Sequence, residues 1–189
     1  LYWSFEMPGH QQILRAGAKD VKKEVMDLLS VQTKLRQDEY DLYEEKVTAY
    51  TEYPIYFNNV PKDITFIKRT NAEIAESYPD TLVVNVYDHS RLILSNADTE
   101  LQKLNEISKG CMWMQAKFGV INILLSQLNR NIEQEHRARN QYQPMLTDLF
   151  GGDSIGQDAH VVMMLQRPFD LYGITDLYCD EEPEGLLAV

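Results

Sequence analysis

The chain has 189 residues, of which 44% are hydrophobic and 25% are charged, and its formal net charge is −11. This length and composition suit one globular domain with a core of its own. The acidic balance excludes a protein that coats nucleic acid with its whole surface, although a local basic site stays open. No apolar stretch approaches the roughly 20 residues of a membrane span and no signal peptide is visible, so we expect a cytoplasmic protein without a membrane partner.

The two cysteines have no spacing that is typical of a metal site or a disulfide framework. Cys111 falls in a predicted helix and Cys179 in an acidic stretch, and the sequence contains no CxxC or CxxH motif. We therefore expect two ordinary thiols.

The first part of the chain predicts a short strand and a long helical region. Residues 1–5 (LYWSF) are aromatic and apolar, as in a strand. Pro8 suits the first turn of a helix, and apolar residues recur at helical spacing as far as Val47. Helix is expected over residues 9–50, with breaks left open.

A second strand and helix follow. Residues 54–59 (PIYFNN) predict a short strand, and residues 63–77 predict a helix. Asp63 stands at the start of this helix, where the helix dipole favours a carboxylate.

Two apolar runs, residues 81–89 and 119–127, occupy the middle of the chain. Both are rich in Val and Ile, which is typical of strands buried on both faces of a parallel sheet. Between them, apolar residues from 97 to 118 step by three and four, and Gly119 stands where a glycine commonly ends a helix. Two such strands joined by one helix indicate a right-handed crossover and an α/β fold.

The remaining sequence predicts a long polar loop and two further apolar runs. The loop covers residues 129–150, and loops of this length tend to be functional. The apolar runs are residues 161–165 and 185–189. Because the first and last runs reach the two ends of the chain, we expect it to be cut within the sheet of a larger protein.

Polar side chains follow three of the predicted strands. Glu6 follows the first strand, Asp88 closes the run 81–89, and Gln127 closes the run 119–127. Ligands of open α/β sheets bind beyond the carboxyl ends of the strands, so these three side chains are expected to converge at one edge. Plainer roles stay open for them: a helix-start carboxylate, a turn cap and a partner for a buried amide.

Five segments in chain order carry a resemblance to a known family. They are residues 1–7, 82–92, 125–130, 146–149 and 154–162. The first two are similar to the strand-plus-SLEM segment and the Walker B strand of the DnaB-like replicative hexameric DNA helicases. The third reads LSQLNR, as in that family, and the last two follow its "sDL…aIeQDAdvv" pattern. Asp88-His89 is similar to a variant found in some phage members.

The resemblance implies a RecA-like α/β fold, with a mostly parallel sheet flanked by helices and residues 1–189 forming part of the ATPase domain. It implies ATP and Mg²⁺ as cofactors. By resemblance, Asp88 is the Walker B residue that holds Mg²⁺, Glu6 is the catalytic glutamate, and Gln127 couples the γ-phosphate to the next loop. Arg130 joins them in the implied nucleotide site. Phosphoryl transfer needs these types of group.

Residues 129–153 correspond to the family loop that lines a central channel and grips single-stranded DNA. The DNA-binding residues implied here are Arg137, Arg139, Phe150, Gly151 and Gly152. The family's Arg-Glu-Ser-Gly is replaced by residues 150–153 (FGGD), so Phe150 either stacks on a base or packs beneath the loop. Alternatively, Arg130, Arg137 and Arg139 pair with Glu133 and Glu135 in a surface network.

The implied partners are single-stranded DNA, further copies of the chain in a hexameric ring, and a primase or a loader. The Walker A loop, GxxxxGK[ST], would lie upstream of Leu1, and the family's basic finger would lie beyond Val189. The sequence contains no Walker A motif. We therefore expect an incomplete sheet that lacks the internal Walker A strand, and a fragment that is inactive alone.

The leading hypothesis is a part of an ATP-driven replicative DNA helicase from a phage or mobile element, acting in the bacterial cytoplasm. The alternative is a non-catalytic RecA-like module that acts as a loader or scaffold partner. A recombinase or circadian-type ATPase of the same superfamily fits the LSQLNR and QDA segments less well. A Walker A motif upstream of residue 1 would favour the motor over the non-catalytic module.

Overall fold

The framework of the structure, a computed structural model, is a four-stranded parallel sheet. Residues 1–30, 34–134, 137, 143–150 and 153–166 are described. The strands are β1 (Tyr2–Ser4), β2 (Phe57–Asn58), β3 (Val84–Asp88) and β4 (Ile121–Leu124). Their order across the sheet is β2-β1-β3-β4. The predicted parallel α/β fold is confirmed.

Six helices accompany the sheet in the described part of the chain. They are α1 (Gly9–Asp20), α2 (Val25–Leu29), α3 (Gln37–Tyr50), α4 (Ile64–Ser77), α5 (Glu100–Phe118) and α6 (Asp153–Asp158). The predicted helical region 9–50 is thus three helices, and the first break falls beside Lys22, whose φ of 54° is left-handed. None of the described helices is long and apolar enough to cross a membrane.

Local sequence signals set the ends of the two central helices. The Asp63 carboxylate accepts a 2.8 Å hydrogen bond from the Phe66 backbone N–H, and so caps α4 as predicted. Thr99 and Gln102 form a reciprocal capping box at the start of α5. Gly119 ends α5 with a φ of +67°, a conformation that glycine adopts without strain.

The register of the sheet brings the carboxyl ends of its strands to one edge. Ser4 of β1 pairs with Asp88 of β3, and Val86 of β3 pairs with Ile123 of β4. The segments that leave β1, β3 and β4 therefore emerge side by side, which places the predicted site residues in one neighbourhood.

The core lies between the sheet and helices α4 and α5. Its fully buried members include Trp3 and Tyr87, whose rings stack at 6.3 Å with an interplanar angle of 8°. Ile67 of α4 and Leu104 of α5 are completely buried against them. Met114 is also in this core, as its helical spacing predicts.

A network of buried amides lies inside this core. Asn85 of β3 accepts from the Trp3 indole at 3.1 Å and donates to Asn71 of α4 at 2.9 Å. The Tyr87 hydroxyl donates to Asn122 of β4 at 2.9 Å. Burial raises the pKa of Tyr87, so this hydroxyl keeps its proton. The network joins three strands and a helix, and buried polar groups that are satisfied in this way avoid a desolvation penalty.

Strand β4 differs from its prediction as a strand buried on both faces. Ile121 and Ile123 are 46% and 40% exposed. Strand β4 pairs only with β3 within the described residues and so lies at an edge of the sheet. Ile121 and Ile123 also alternate with Asn122, which donates to the Cys111 carbonyl of α5, and therefore lie on the opposite face of the sheet. Residues 161–165 form no strand, and Val161, Met163 and Leu165 are strongly exposed. Residues 185–189 lie outside the described residues.

Helices α4 and α5 meet at Gly110, which leads to a prediction about stability. A Cβ atom at this position would lie 2.3 Å from Cγ1 of Ile64. We expect Gly110→Ala to destabilise the protein by about 1–3 kcal/mol, the usual cost of overpacking. Gly156→Ala is the matched control, because its Cβ would meet only Leu149 at an ordinary 3.7 Å. Denaturant unfolding of both variants checks this, and equal stabilities would contradict it.

Candidate nucleotide site and adjoining loop

The three predicted strand-end residues lie together around one histidine. The Glu6 carboxylate is 3.9 Å from Nε2 of His89, and the same nitrogen is 3.4 Å from the Gln127 side-chain amide nitrogen. Asp88 directly precedes His89 and ends β3. The structure therefore brings Glu6, Asp88 and Gln127 to a single edge of the sheet, as their strand-end positions predict.

Asp88 is held by neutral donors. The Tyr2 hydroxyl and the Gln12 amide donate to its carboxylate at 3.5 and 3.4 Å. Burial raises the pKa of Tyr2, and the neighbouring Asp88 charge adds to this effect, so the hydroxyl remains a donor at neutral pH. Among the described residues, no lysine or arginine forms an ion pair with Asp88. Its negative charge is left without a cation from these residues.

The carboxylates here fit an open Mg²⁺ site, completed by water and phosphate, better than a metal site enclosed by protein ligands. The described residues contain no group of three or more His, Cys, Asp or Glu side chains that could enclose a metal ion. Mg²⁺ in nucleotide sites is usually bound by one or two carboxylates together with water and phosphate oxygens. Asp88, with Glu6 nearby, suits that open arrangement.

Backbone hydrogen bonds hold the end of the loop after β4 against the residues that follow the strand. Leu128 and Leu149 form an isolated antiparallel bridge, and the Phe150 N–H donates to the Gln127 carbonyl at 3.0 Å. Asn129 N–H donates to the Asp148 carbonyl at 2.7 Å. The two ends of the loop therefore meet beside Gln127, where the candidate nucleotide site lies.

Arg137 lies inside this loop and not on its surface. It is 8% exposed, and its guanidinium donates to both Asp148 carboxylate oxygens, at 3.1 and 2.6 Å. It also donates to the Gln143 carbonyl at 2.9 Å. Arg137 thus forms a buried bidentate ion pair with Asp148, a partner that the sequence did not predict.

The structure describes two of the other predicted DNA-binding and nucleotide-binding residues and leaves three outside the described part of the chain. Arg130 is exposed at the start of the 3₁₀ turn Arg130–Glu133. Phe150 is partly buried against the core and lies under the guanidinium of Arg91. Arg139, Gly151 and Gly152 lie outside the described residues.

Three residues of this region were missed by sequence reasoning. His89 was not among the site residues that the sequence predicts, yet its Nε2 lies between Glu6 and Gln127. Asp148 and Arg91 were not singled out. Asp148 lies in the segment 146–149 and Arg91 in the segment 82–92, both of which carry part of the family resemblance. Neither position has a periodic signal, so only the fold reveals its partners.

Two solved structures share the fold of this chain. A solved structure described as an ATPase domain superposes with a TM-score of 0.82 and 19% identity, covering 93% of this chain and 61% of that one. "The Structure Of A DnaB-Like Replicative Helicase And Its Interactions With Primase" gives a TM-score of 0.73 and 20% identity, over 84% of this chain and 38% of that one. The architecture expected from the sequence is thereby confirmed.

Sequence comparison gives the family. The family model described as "DnaB-like helicase C terminal domain" matches residues 1–182, and the chain belongs to this family. The replicative DNA helicase DnaB of Mycobacterium intracellulare is 26% identical over 185 residues, which is 97% of this chain and 30% of that protein. DnaB of Rickettsia prowazekii is 27% identical over 135 residues, 70% of this chain and 27% of that protein. The chain thus spans less than a third of the length of these relatives.

Proposed function

We propose that this chain is part of the motor of an ATP-dependent replicative DNA helicase, which translocates on single-stranded DNA and unwinds the duplex at a fork. The observation that carries the proposal is the meeting of Glu6 and Gln127 at His89, beside Asp88 and next to the ends of the loop 129–150. The proposal is supported by the position of Gln127, whose carbonyl accepts from the Phe150 N–H at the end of the candidate DNA loop.

Each residue has a distinct role in the proposed site. ATP with Mg²⁺ supplies the phosphoryl group and the neutralising charge. Asp88 would hold the Mg²⁺, since no described basic residue competes for its carboxylate. Glu6 orients the attacking water, and the exposed Gln127 amide senses the γ-phosphate. Arg130, exposed after β4, contributes positive charge to the nucleotide site.

The phosphate cradle of this site comes, in our proposal, from a strand outside residues 1–189. The sequence has no GxxxxGK[ST] motif. Among the described residues, strand β4 has one edge without a neighbouring strand, and the apolar residues 161–165 form no strand. A Walker A strand at this edge of β4 would pair with its backbone groups.

The proposed partners are single-stranded DNA, further copies of the chain and a primase. Single-stranded DNA is gripped by the loop 129–153, with Arg139, Gly151 and Gly152 as predicted contacts and with Arg137 and Phe150 contributing from within it. A phosphate grip of this kind is indifferent to base sequence. We further propose a hexameric ring with nucleotide at subunit interfaces. One structural neighbour is described with its interactions with primase, which makes primase a candidate partner here.

A second candidate function is a non-catalytic RecA-like module that loads or holds a partner. One observation favours it: the absence of a phosphate-binding motif from this sequence. The two candidates differ in a single measurable property, because only the motor hydrolyses ATP.

Steady-state ATPase assays on the intact protein that contains this chain separate the two. We expect turnover that depends on Mg²⁺ and rises when unstructured single-stranded DNA is added, because DNA binding to the loop would act on Gln127. A protein that binds its partners without hydrolysing ATP would support the non-catalytic module and overturn the motor.

A further inference from the structure

We propose that Arg91 is a positioning residue that ties Gln127 to Phe150 and so links the nucleotide site to the DNA loop. This inference rests on the proposed function, which assigns the nucleotide to one end of the link and DNA to the other. Nothing in the sequence patterns pointed to Arg91.

The geometry places the Arg91 guanidinium between two predicted functional side chains. Its Nη1 donates to Oε1 of Gln127 at 3.4 Å. Its central carbon lies 4.3 Å from the centre of the Phe150 ring, within the range of a cation–π contact. One planar group therefore touches the proposed γ-phosphate sensor and the proposed DNA-contacting aromatic ring.

Arg91 is itself fixed from behind by helix α5. Its Nε lies 3.5 Å from the carboxylate of Glu100, the first residue of α5, and its carbonyl accepts a 2.6 Å hydrogen bond from Lys103. The 3₁₀ turn Ser90–Leu92 that carries it is joined to the end of β4 by a 3.0 Å bond from Ser90 N–H to the Leu125 carbonyl. These contacts fix the backbone from which the Arg91 side chain extends.

Gln127 has its two amide ends engaged by different partners. The nitrogen faces His89, which contacts Glu6, while the oxygen faces Arg91. A rotation of this amide toward a nucleotide phosphate breaks the contact with Arg91. Because the same guanidinium covers Phe150, the rotation also changes how the aromatic ring is held. A change at the nucleotide is transmitted in this way to the loop, and DNA bound to the loop acts back on Gln127.

The competing explanation is an ordinary surface ion pair. The Arg91 side chain is 43% exposed, and an exposed pair with Glu100 contributes little to stability. The two explanations differ in what they affect: a surface pair changes neither DNA stimulation nor basal turnover, whereas the link changes DNA stimulation alone.

The test is the ATPase of the intact protein with and without unstructured single-stranded DNA. We expect Arg91→Ala to keep basal kcat and the KM for ATP within about twofold and to lower the DNA stimulation about two- to fivefold, the range of one cation–π contact. Arg69→Ala is the matched control, since Arg69 also lies over an aromatic ring, Phe66 at 5.0 Å, and beside Glu73 at 3.8 Å. It lies on α4, away from the site, and should behave as wild type.

A double-mutant cycle with Phe150→Leu tests whether the effect passes through the ring. The double variant should lose no more stimulation than the worse single variant. Unchanged stimulation in Arg91→Ala, equal losses of basal and stimulated turnover, or multiplying losses in the cycle would each overturn the link alone. A wild-type protein whose ATPase ignores DNA would overturn the proposed function and this inference with it. Melting curves for each variant show whether it folds.

Discussion

Glu6→Gln in the intact protein is expected to stop ATP turnover and leave nucleotide binding in place. The substitution keeps the shape of the side chain and removes the charge that would orient the attacking water. Loss of a positioned general base typically lowers a rate by about 10²–10⁴-fold. Asp88→Asn should also abolish turnover, and should weaken the Mg²⁺ dependence of binding because Asp88 is the proposed metal carboxylate.

Turnover, with nucleotide binding measured in parallel, checks both expectations. Glu73→Gln is a suitable control, since Glu73 is an exposed carboxylate on α4 whose near partner is Arg69. Wild-type turnover in Glu6→Gln would mean that another carboxylate orients the water. Wild-type turnover in Asp88→Asn would remove the metal role, and with it the main chemical support for the motor.

Arg137→Ala is expected to destabilise the loop by about 3–5 kcal/mol, because it leaves the buried Asp148 carboxylate without its partner. Asp148→Asn should have a similar effect from the other side. The double variant Arg137→Ala, Asp148→Asn should cost less than the sum of the two, since no unpaired buried charge remains. Hydrogen exchange at the Asn129 and Phe150 amides reports this locally, because both bond across the loop ends.

The same variants test how Arg137 contributes to DNA binding. If it contacts phosphate, Arg137→Ala flattens the salt dependence of single-strand affinity by about 0.7 per lost contact, and Asp148→Asn leaves that slope unchanged. If it acts by ordering the loop, both variants weaken binding with the slope intact. Removing Arg137 and Arg139 together without any effect on affinity would exclude the loop from the DNA path.

Much of the framework follows from local sequence signals. Asp63 and Gly119 mark helix ends through hydrogen bonds and backbone conformations that depend only on nearby residues. The neighbourhood of Glu6, Asp88 and Gln127 follows from a rule that is almost as local: parallel strands have their carboxyl ends at the same edge. These features were predictable because few distant contacts decide them.

Features that depend on distant partners were not predictable. The sequence of an apolar strand such as residues 121–124 does not reveal whether it pairs with one or with two neighbouring strands. Among the described residues, this strand pairs with one. Arg137 and Asp148 are 11 positions apart in a loop without periodicity, so no pattern marks them as partners. The contact between Arg91 and Phe150 spans the turn after β3 and the end of the loop, which only the folded chain brings together.

The amide network in the core has a consequence for the accuracy of the site. Asn85 and Asn122 face each other across β3 and β4, and Trp3 reaches Asn85 from β1. If one strand slipped by a single residue, its side chains would exchange faces and several buried amides would lose their partners at once. Slippage is therefore penalised more steeply than in a purely apolar sheet, whose contacts can be replaced by similar ones. The positions of Glu6, Asp88 and Gln127 along the sheet relative to one another are thus fixed by strand register. Hydrogen bonds in the interior set that register, and no nucleotide is needed for it.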